Sequence, residues 1–157
     1  NYGATKVVIH GGYNPRIYYP VWYVEQSILF WKDFLKEDPG VEIVLENVLE
    51  ETPDMLLNIV KGVDDKRLCL CLDIGHVNAY SEIPVMDWLK VWAPHISHFH
   101  IHNNDGSRDR HNALDDGTIP IKDLLEHAEY MCPNATYTLE LLQDEPSARW
   151  LKENELL

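Results

Sequence analysis

Five short segments of this chain share one pattern, and that pattern limits what the chain can fold into. Side chains in a strand alternate between two faces. In Lys6-Val7-Val8-Ile9-His10, Val7 and Ile9 oppose Lys6, Val8 and His10. From Val41 to Glu46, Val41, Ile43 and Leu45 oppose Glu42, Val44 and Glu46. Leu68, Leu70 and Leu72 oppose Cys69, Cys71 and Asp73. Phe99 and Ile101 oppose His98, His100 and His102, and Tyr137 and Leu139 oppose Thr136, Thr138 and Glu140. Each segment has one greasy face and one smaller or more polar face. At or near the C-terminal end of the second face stands a metal-ligand type of residue: His10, Glu46, Asp73, His100 or Glu140.

Helical patterns fill the intervals. Val24, Ile28, Trp31 and Leu35 fall at helical spacing between Pro20 and Lys36, and Pro39-Gly40 stops that helix. Thr52-Pro53-Asp54 reads as a cap, a first-turn proline and an acid, opening a helix that Gly62 ends. Pro84 opens a helix with Trp88, Leu89 and Val91, which Pro94 ends. Pro120 opens one with Leu124, Leu125 and Ala128, and Pro146 opens one with Trp150 and Leu151. Strand and helix alternate five times, which predicts parallel strands with crossover helices. An open sheet covered by helices on both sides is apolar on both faces. A (β/α)8 barrel instead has a helix-facing side and an interior side, with its active site at the C-terminal rim. The two-faced pattern predicts the barrel: an α/β chain forming a single domain over residues 1–157.

A barrel needs eight strands, and five are present. The chain is expected to be the last two-thirds of a barrel, incomplete on its N-terminal side. Two unpaired edges are a liability for a soluble protein. The expectation is therefore a piece of a longer protein, or edges paired with another copy in a homo-oligomer.

The stretch His98 to His111 holds four of the eight histidines, and with them Asp105 and Asp109. Asp105-Gly106 is a turn signal. Imidazole and carboxylate together suit zinc, manganese or iron. The plain alternative is a polar loop whose histidines hydrogen-bond locally. Five consecutive strands ending in ligand-type residues of matching parity favour the metal.

Acidic residues outnumber basic ones 26 to 13, a net charge of −13. Such a surface opposes binding to a phosphate backbone. No apolar run reaches the length of a membrane span. Asn1-Tyr2-Gly3 begins neither a signal nor a transit peptide, and without an initiator Met, residues upstream are expected. Cys69, Cys71 and Cys132 are an odd count; Cys69 and Cys71 share one face of an apolar run and read as buried thiols, and a reducing, cytoplasmic compartment fits the count.

The motifs Ile9-His10-Gly11-Gly12, Leu45-Glu46-Asn47, Leu72-Asp73-Ile74-Gly75-His76, His100-Ile101-His102-Asn103, Asp109-Arg110-His111 and Thr138-Leu139-Glu140 span nearly the whole chain. In that order they resemble the xylose isomerase-like TIM-barrel superfamily, which includes endonuclease IV and many sugar isomerases and epimerases. The resemblance implies that Glu46, Asp73, His100 and Glu140 form the four-ligand metal site these enzymes share. It implies that His10 and Glu46 belong to a second site. It matches His76, Asp109 and His111 to the third zinc site of endonuclease IV, which sugar epimerases of the family generally lack. A further histidine that completes the second site, on an earlier strand, has no counterpart here.

Other residues receive plainer readings. His95 reads as a surface or cap residue, His127 as solvated and Glu42 as a salt-bridge partner near the barrel floor. His98 and His102 point inward by parity, though the resemblance selects His100. Tyr18, Tyr19, Trp22 and Tyr23 read as helix packing, and Asn47 as a rim hydrogen-bonding residue.

Two functions follow from the resemblance. One is a sugar or sugar-phosphate isomerase or epimerase. In it a divalent ion (zinc, manganese or cobalt) polarises the substrate carbonyl while Glu46 and Glu140 move a proton at the adjacent carbon. The other is zinc phosphodiester hydrolysis on abasic DNA. The intact His76, Asp109 and His111 set supports it, and the charge and the lack of any Lys/Arg-rich stretch oppose it. The charge favours the small-molecule enzyme.

Overall fold

The computed structural model describes residues 3–156. The leader reading of Asn1-Tyr2 lies outside them. Five strands appear where the alternation places them: β1 (Lys6–His10), β2 (Glu42–Glu46), β3 (Leu68–Asp73), β4 (Ile96–Ile101) and β5 (Thr136–Leu139). All four pairings are parallel, and the spatial order β1-β2-β3-β4-β5 is the order of the chain. A doubly wound sheet reverses direction at a switch point; this sheet does not reverse, and it curls into a half-barrel.

A lysine at the floor shows the curl. Lys6 on β1 reaches across the concave face to donate to Thr136 Oγ1 on β5 at 3.2 Å, and it lies 3.6 Å from Glu42 Oε1 on β2. The first and last strands of the sheet thus share one side chain. Glu42 takes the salt-bridge role read for it. Register sets the height of each site residue. His10 pairs with Glu46, and Asp73 with His100, while a shift after Leu70 lets Cys71 face His98.

The convex face is covered by α1 (Pro20–Phe34), α2 (Asp54–Val63), α3 (Ile74–Tyr80), α4 (Val85–Trp92), α5 (Ile121–Met131) and α6 (Glu145–Glu153). Leu45, Leu70, Leu72 and Phe99 from the sheet meet Leu56, Ile59, Trp88, Leu89 and Trp92 from the helices, all almost fully buried. Burying each such side chain contributes about 1.5–3 kcal/mol.

Local readings are refined at three places. Helix α3 follows β3 directly and was not expected. It is capped by Asp73, whose Oδ1 accepts from the His76 N–H at 2.7 Å. Gly62 does not end α2. The helix runs on to Val63 and stops at Asp64, which adopts a left-handed φ of 55°. A Cβ on Gly62 would stand 2.4 Å from Ile28 Cδ1, so the glycine permits the close approach of α1 and α2. At the start of α2 the cap position falls on Pro53, with no side-chain cap bond, and not on Thr52.

Candidate metal centre

Glu46, Asp73, His100 and Glu140 converge. One ligand atom from each lies within 4.8 Å of every other. His100 Nδ1 is central, 3.2 Å from Glu46 Oε1, 3.2 Å from Glu140 Oε1 and 3.8 Å from Asp73 Oδ2. Strand ends supply them: Glu46 ends β2, Asp73 ends β3, His100 lies near the end of β4, and Glu140 follows β5, its N–H donating to Ile101 O at 3.2 Å. Asn47 locks the rim. Its side chain donates to Asp73 O and accepts from Asp73 N–H, both at 2.9 Å, which fixes the ends of β2 and β3 together.

The electrostatics suit a cation. Burial pushes the Asp73 carboxyl up. The hydrogen bond from His102 and the nearby His76 and His102 rings outweigh that and hold it below the usual carboxylate range. Burial pushes His100 down, and Glu46, Glu140 and Asp73 outweigh it and raise it. His100 Nδ1 is buried and makes no hydrogen bond among the described residues. Three carboxylates around one unpartnered imidazole nitrogen in a buried pocket carry excess negative charge, which a divalent ion offsets. Three oxygens and one nitrogen suit zinc or manganese.

His10 is brought to the same place but stands apart in exposure. Its Nε2 lies 3.3 Å from Glu46 Oε2, and its side chain is 65% exposed. His76, Asp109 and His111 also converge, as expected, and a fourth residue joins them. One ligand atom from each of His76, His102, Asp109 and His111 lies within 4.8 Å of the others. Asp109 Oδ2 is 3.4 Å from His76 Nε2 and 2.9 Å from His111 Nε2, and Asp109 Oδ1 is 3.6 Å from His102 Nδ1. Sequence reasoning placed His102 on the interior face, with contact to metal or substrate open to it, but did not place it in this cluster. The signal was its parity with His98 and His100.

Cys71, His98 and His100 form a third grouping one layer deeper. There His98 Nδ1 and Nε2 lie 2.6 and 3.1 Å from the hydroxyls of Thr136 and Thr138. Burial, then Glu46 and Asp73, push the Cys71 thiol far up. A protonated thiol and an imidazole with both nitrogens engaged fill the barrel interior. Glu50 escaped sequence reasoning altogether. It is buried beside Gly11, and its Oε2 accepts from Val48 N–H at 2.7 Å.

Comparison with known proteins follows the same lines. Residues 1–155 match the family described as "Xylose isomerase-like TIM barrel". The chain is 34% identical over 134 residues to the uncharacterized protein MJ1311 of Methanocaldococcus jannaschii, covering 78% of this chain and 46% of that protein. A second uncharacterized protein of that organism, MJ1614, is 30% identical over 120 residues, covering 74% and 47%. The chain spans about half the length of these curated relatives. Among solved structures, a D-tagatose 3-epimerase-like protein superimposes with a TM-score of 0.81 at 28% identity, over 96% of this chain and 62% of its own. The TTHB071 protein of Thermus thermophilus, soaked with ZnCl2, superimposes with a TM-score of 0.74 at 28% identity, over 97% and 62%.

Proposed function

The chain belongs to the xylose isomerase-like TIM barrel family, and from that premise we propose that it carries the reaction centre of a sugar or sugar-phosphate isomerase or epimerase. The observation that carries this reading is the placement of two carboxylates, Glu46 and Glu140, each 3.2 Å from His100 Nδ1. Glu46, Asp73, His100 and Glu140 would hold a divalent ion (zinc, manganese or cobalt). Bound there, it would act as a Lewis acid on the substrate carbonyl and its neighbouring hydroxyl.

Glu46 and Glu140 come from different strands, so they can address a bound substrate from two directions. One takes the proton from the carbon next to the carbonyl, and either can return it, which gives isomerisation or epimerisation. His100 and Asp73 orient the pair. Several features support a small polar substrate. A protein of net charge −13 repels a polyanion. Among the described residues no helix is long and apolar enough to cross a membrane. A similar solved structure is named as D-tagatose 3-epimerase-like. Three free cysteines suit a reducing, cytoplasmic setting. The second cluster is the observation that favours the other reading, metal-assisted phosphodiester hydrolysis.

Solvent deuterium exchange separates the two. In the protein that carries this chain, loaded with manganese, cobalt or zinc, exchange into a ketose or ketose phosphate is expected. It should be abolished in Glu46→Gln and Glu140→Gln. Nicking of abasic DNA at physiological salt without sugar exchange would reverse the choice. Chelation is expected to lower the melting temperature, because four ligands from separate segments lose their common partner.

A further inference from the structure

The proton transfer above makes no use of the cluster His76, His102, Asp109 and His111. Each of its histidines is tied at one ring nitrogen. His76 Nδ1 lies 2.8 Å from the carbonyl oxygen of Asn47, and His111 Nδ1 lies 2.8 Å from that of Glu140. A carbonyl only accepts, so both nitrogens carry hydrogen. His102 Nε2 faces the Asp73 carboxylate at 3.0 and 3.2 Å and donates to it. In a neutral imidazole the other nitrogen is then a lone pair. Those three atoms, His76 Nε2, His111 Nε2 and His102 Nδ1, are the ones that face Asp109.

With all three rings neutral, three lone pairs and a carboxylate are all acceptors, and the 2.9 Å approach of His111 Nε2 to Asp109 Oδ2 requires a proton or a metal ion between them. His102 Nδ1 and Asp109 Oδ1 are buried, with no hydrogen bond among the described residues. His102 has no exposed surface. Such a set is mutually repulsive until a cation enters, and tying the back nitrogen of each ligand histidine to an oxygen is how metal sites are oriented. The ring also has a place made for it. A Cβ on Gly75 would stand 1.9 Å from His102 Cε1, so only glycine lets the ring lie there.

His102 changes what the site can do. Three protein ligands leave a position of a tetrahedral ion open for water or substrate, while four complete it, as three imidazoles and one carboxylate do here; the oxygen-rich first cluster suits instead a five- or six-coordinate ion, which keeps positions for substrate beside its four ligands. We propose that His76, His102, Asp109 and His111 form a closed, four-ligand structural metal site, and that His102 uses its other nitrogen to fix Asp73 for the first cluster. The link to Asp73 rests on reading the first cluster as the reaction centre; the closed site does not. A closed site has no position for a phosphate oxygen or a hydroxide, so it favours proton transfer over hydrolysis.

Cobalt(II) tests this, because a tetrahedral four-ligand cobalt centre absorbs visible light strongly and a five- or six-coordinate one weakly. The metal-stripped protein is expected to take up two equivalents, one giving the strong band. His102→Gln should abolish that band and weaken that equivalent by at least about 10-fold. His102→Cys should keep the band and add a near-ultraviolet sulfur-to-cobalt transition, which requires a direct bond. Glu140→Gln should weaken only the other equivalent. The closed site is overturned if the wild type shows no strong band, if His102→Gln leaves it unchanged, or if His102→Cys shows no sulfur transition. The reaction-centre reading fails separately if Glu46→Gln and Glu140→Gln leave uptake and solvent exchange unchanged.

Discussion

His98 shows how a single side chain can be read against its neighbours. It lies in the interior below the first cluster, hydrogen-bonded to two threonines. Burial, then the neighbouring His100 and Lys6, push its pKa down to about 4 from 6.5. The folded chain therefore binds fewer protons than the unfolded chain between those values. Stability rises with pH through that window and is lost as pH falls from about 6.5 toward 4, with a slope of at most about 1.4 kcal/mol per pH unit from this group. In chelator, His98→Asn is expected to flatten the melting temperature over that range; an unchanged slope would remove His98 as its source. Gly75 is the second residue whose change has a defined outcome. Gly75→Ala forces a methyl into the His102 ring and should cost about 1–3 kcal/mol by denaturant unfolding. His10, Glu46, Asp73, His100 and Glu140 were legible because strand alternation fixes the face of each side chain before anything else is known. His102 was not, because its role depends on which nitrogen meets Asp73, and alternation carries no information about that.

At the scale of elements, the strands and five of the helices were legible from period and punctuation, and the failures have a common cause. Helix α3 contains Gly75 and begins without a loop, so its start is set by a side chain already committed to the site, Asp73. The connection from 102 to 120 has no period to read. Side-chain amides hold its shape: Asn103 donates to Leu114 O at 2.8 Å and Ile119 O at 3.2 Å, and Asn104 donates to Gly75 O at 2.8 Å. Its bond network brings Asp109 and His111 back over the strand ends, with His111 at a left-handed φ of 49°. Gly62 is the misread signal of α2, since a glycine near a helix end reads as a stop, whereas here it makes room for Ile28. The two roles predict opposite outcomes. Alanine in a helix is favoured over glycine by about 1 kcal/mol, yet Gly62→Ala should destabilise the chain because Ile28 is in the way. In an Ile28→Ala background the same change should stabilise. A double-mutant cycle with no coupling between the two positions would return Gly62 to the role of a terminator.

At the scale of the whole molecule, the half-barrel is more open than its size requires. A compact chain of 18.2 kDa would expose about 8,100 Å², whereas this one exposes 9221 Å². The excess has an address. Among the described residues β1 pairs only with β2 and β5 only with β4, so the sheet has two free edges. Beside β1, helix α1 presents Trp22, Leu29 and Phe30, each at least half exposed, and Tyr137 and Leu139 of β5 are partly uncovered. Edges and apolar surface together drive association. The polypeptide of residues 1–157 is therefore expected to self-associate as concentration rises, by sedimentation velocity, and to bind a hydrophobic dye. Phe30→Lys should shift it toward monomer at little cost in stability, since in the chain alone the ring is more than half exposed. In a polypeptide of the relatives' full length, further strands and helices would cover this face, and the same substitution should instead destabilise the fold by about 1 kcal/mol or more, as burying a charge beside apolar side chains does. A chain of residues 1–157 that stays monomeric and dye-free at high concentration would show that α1 and the two edges are tolerated as they stand.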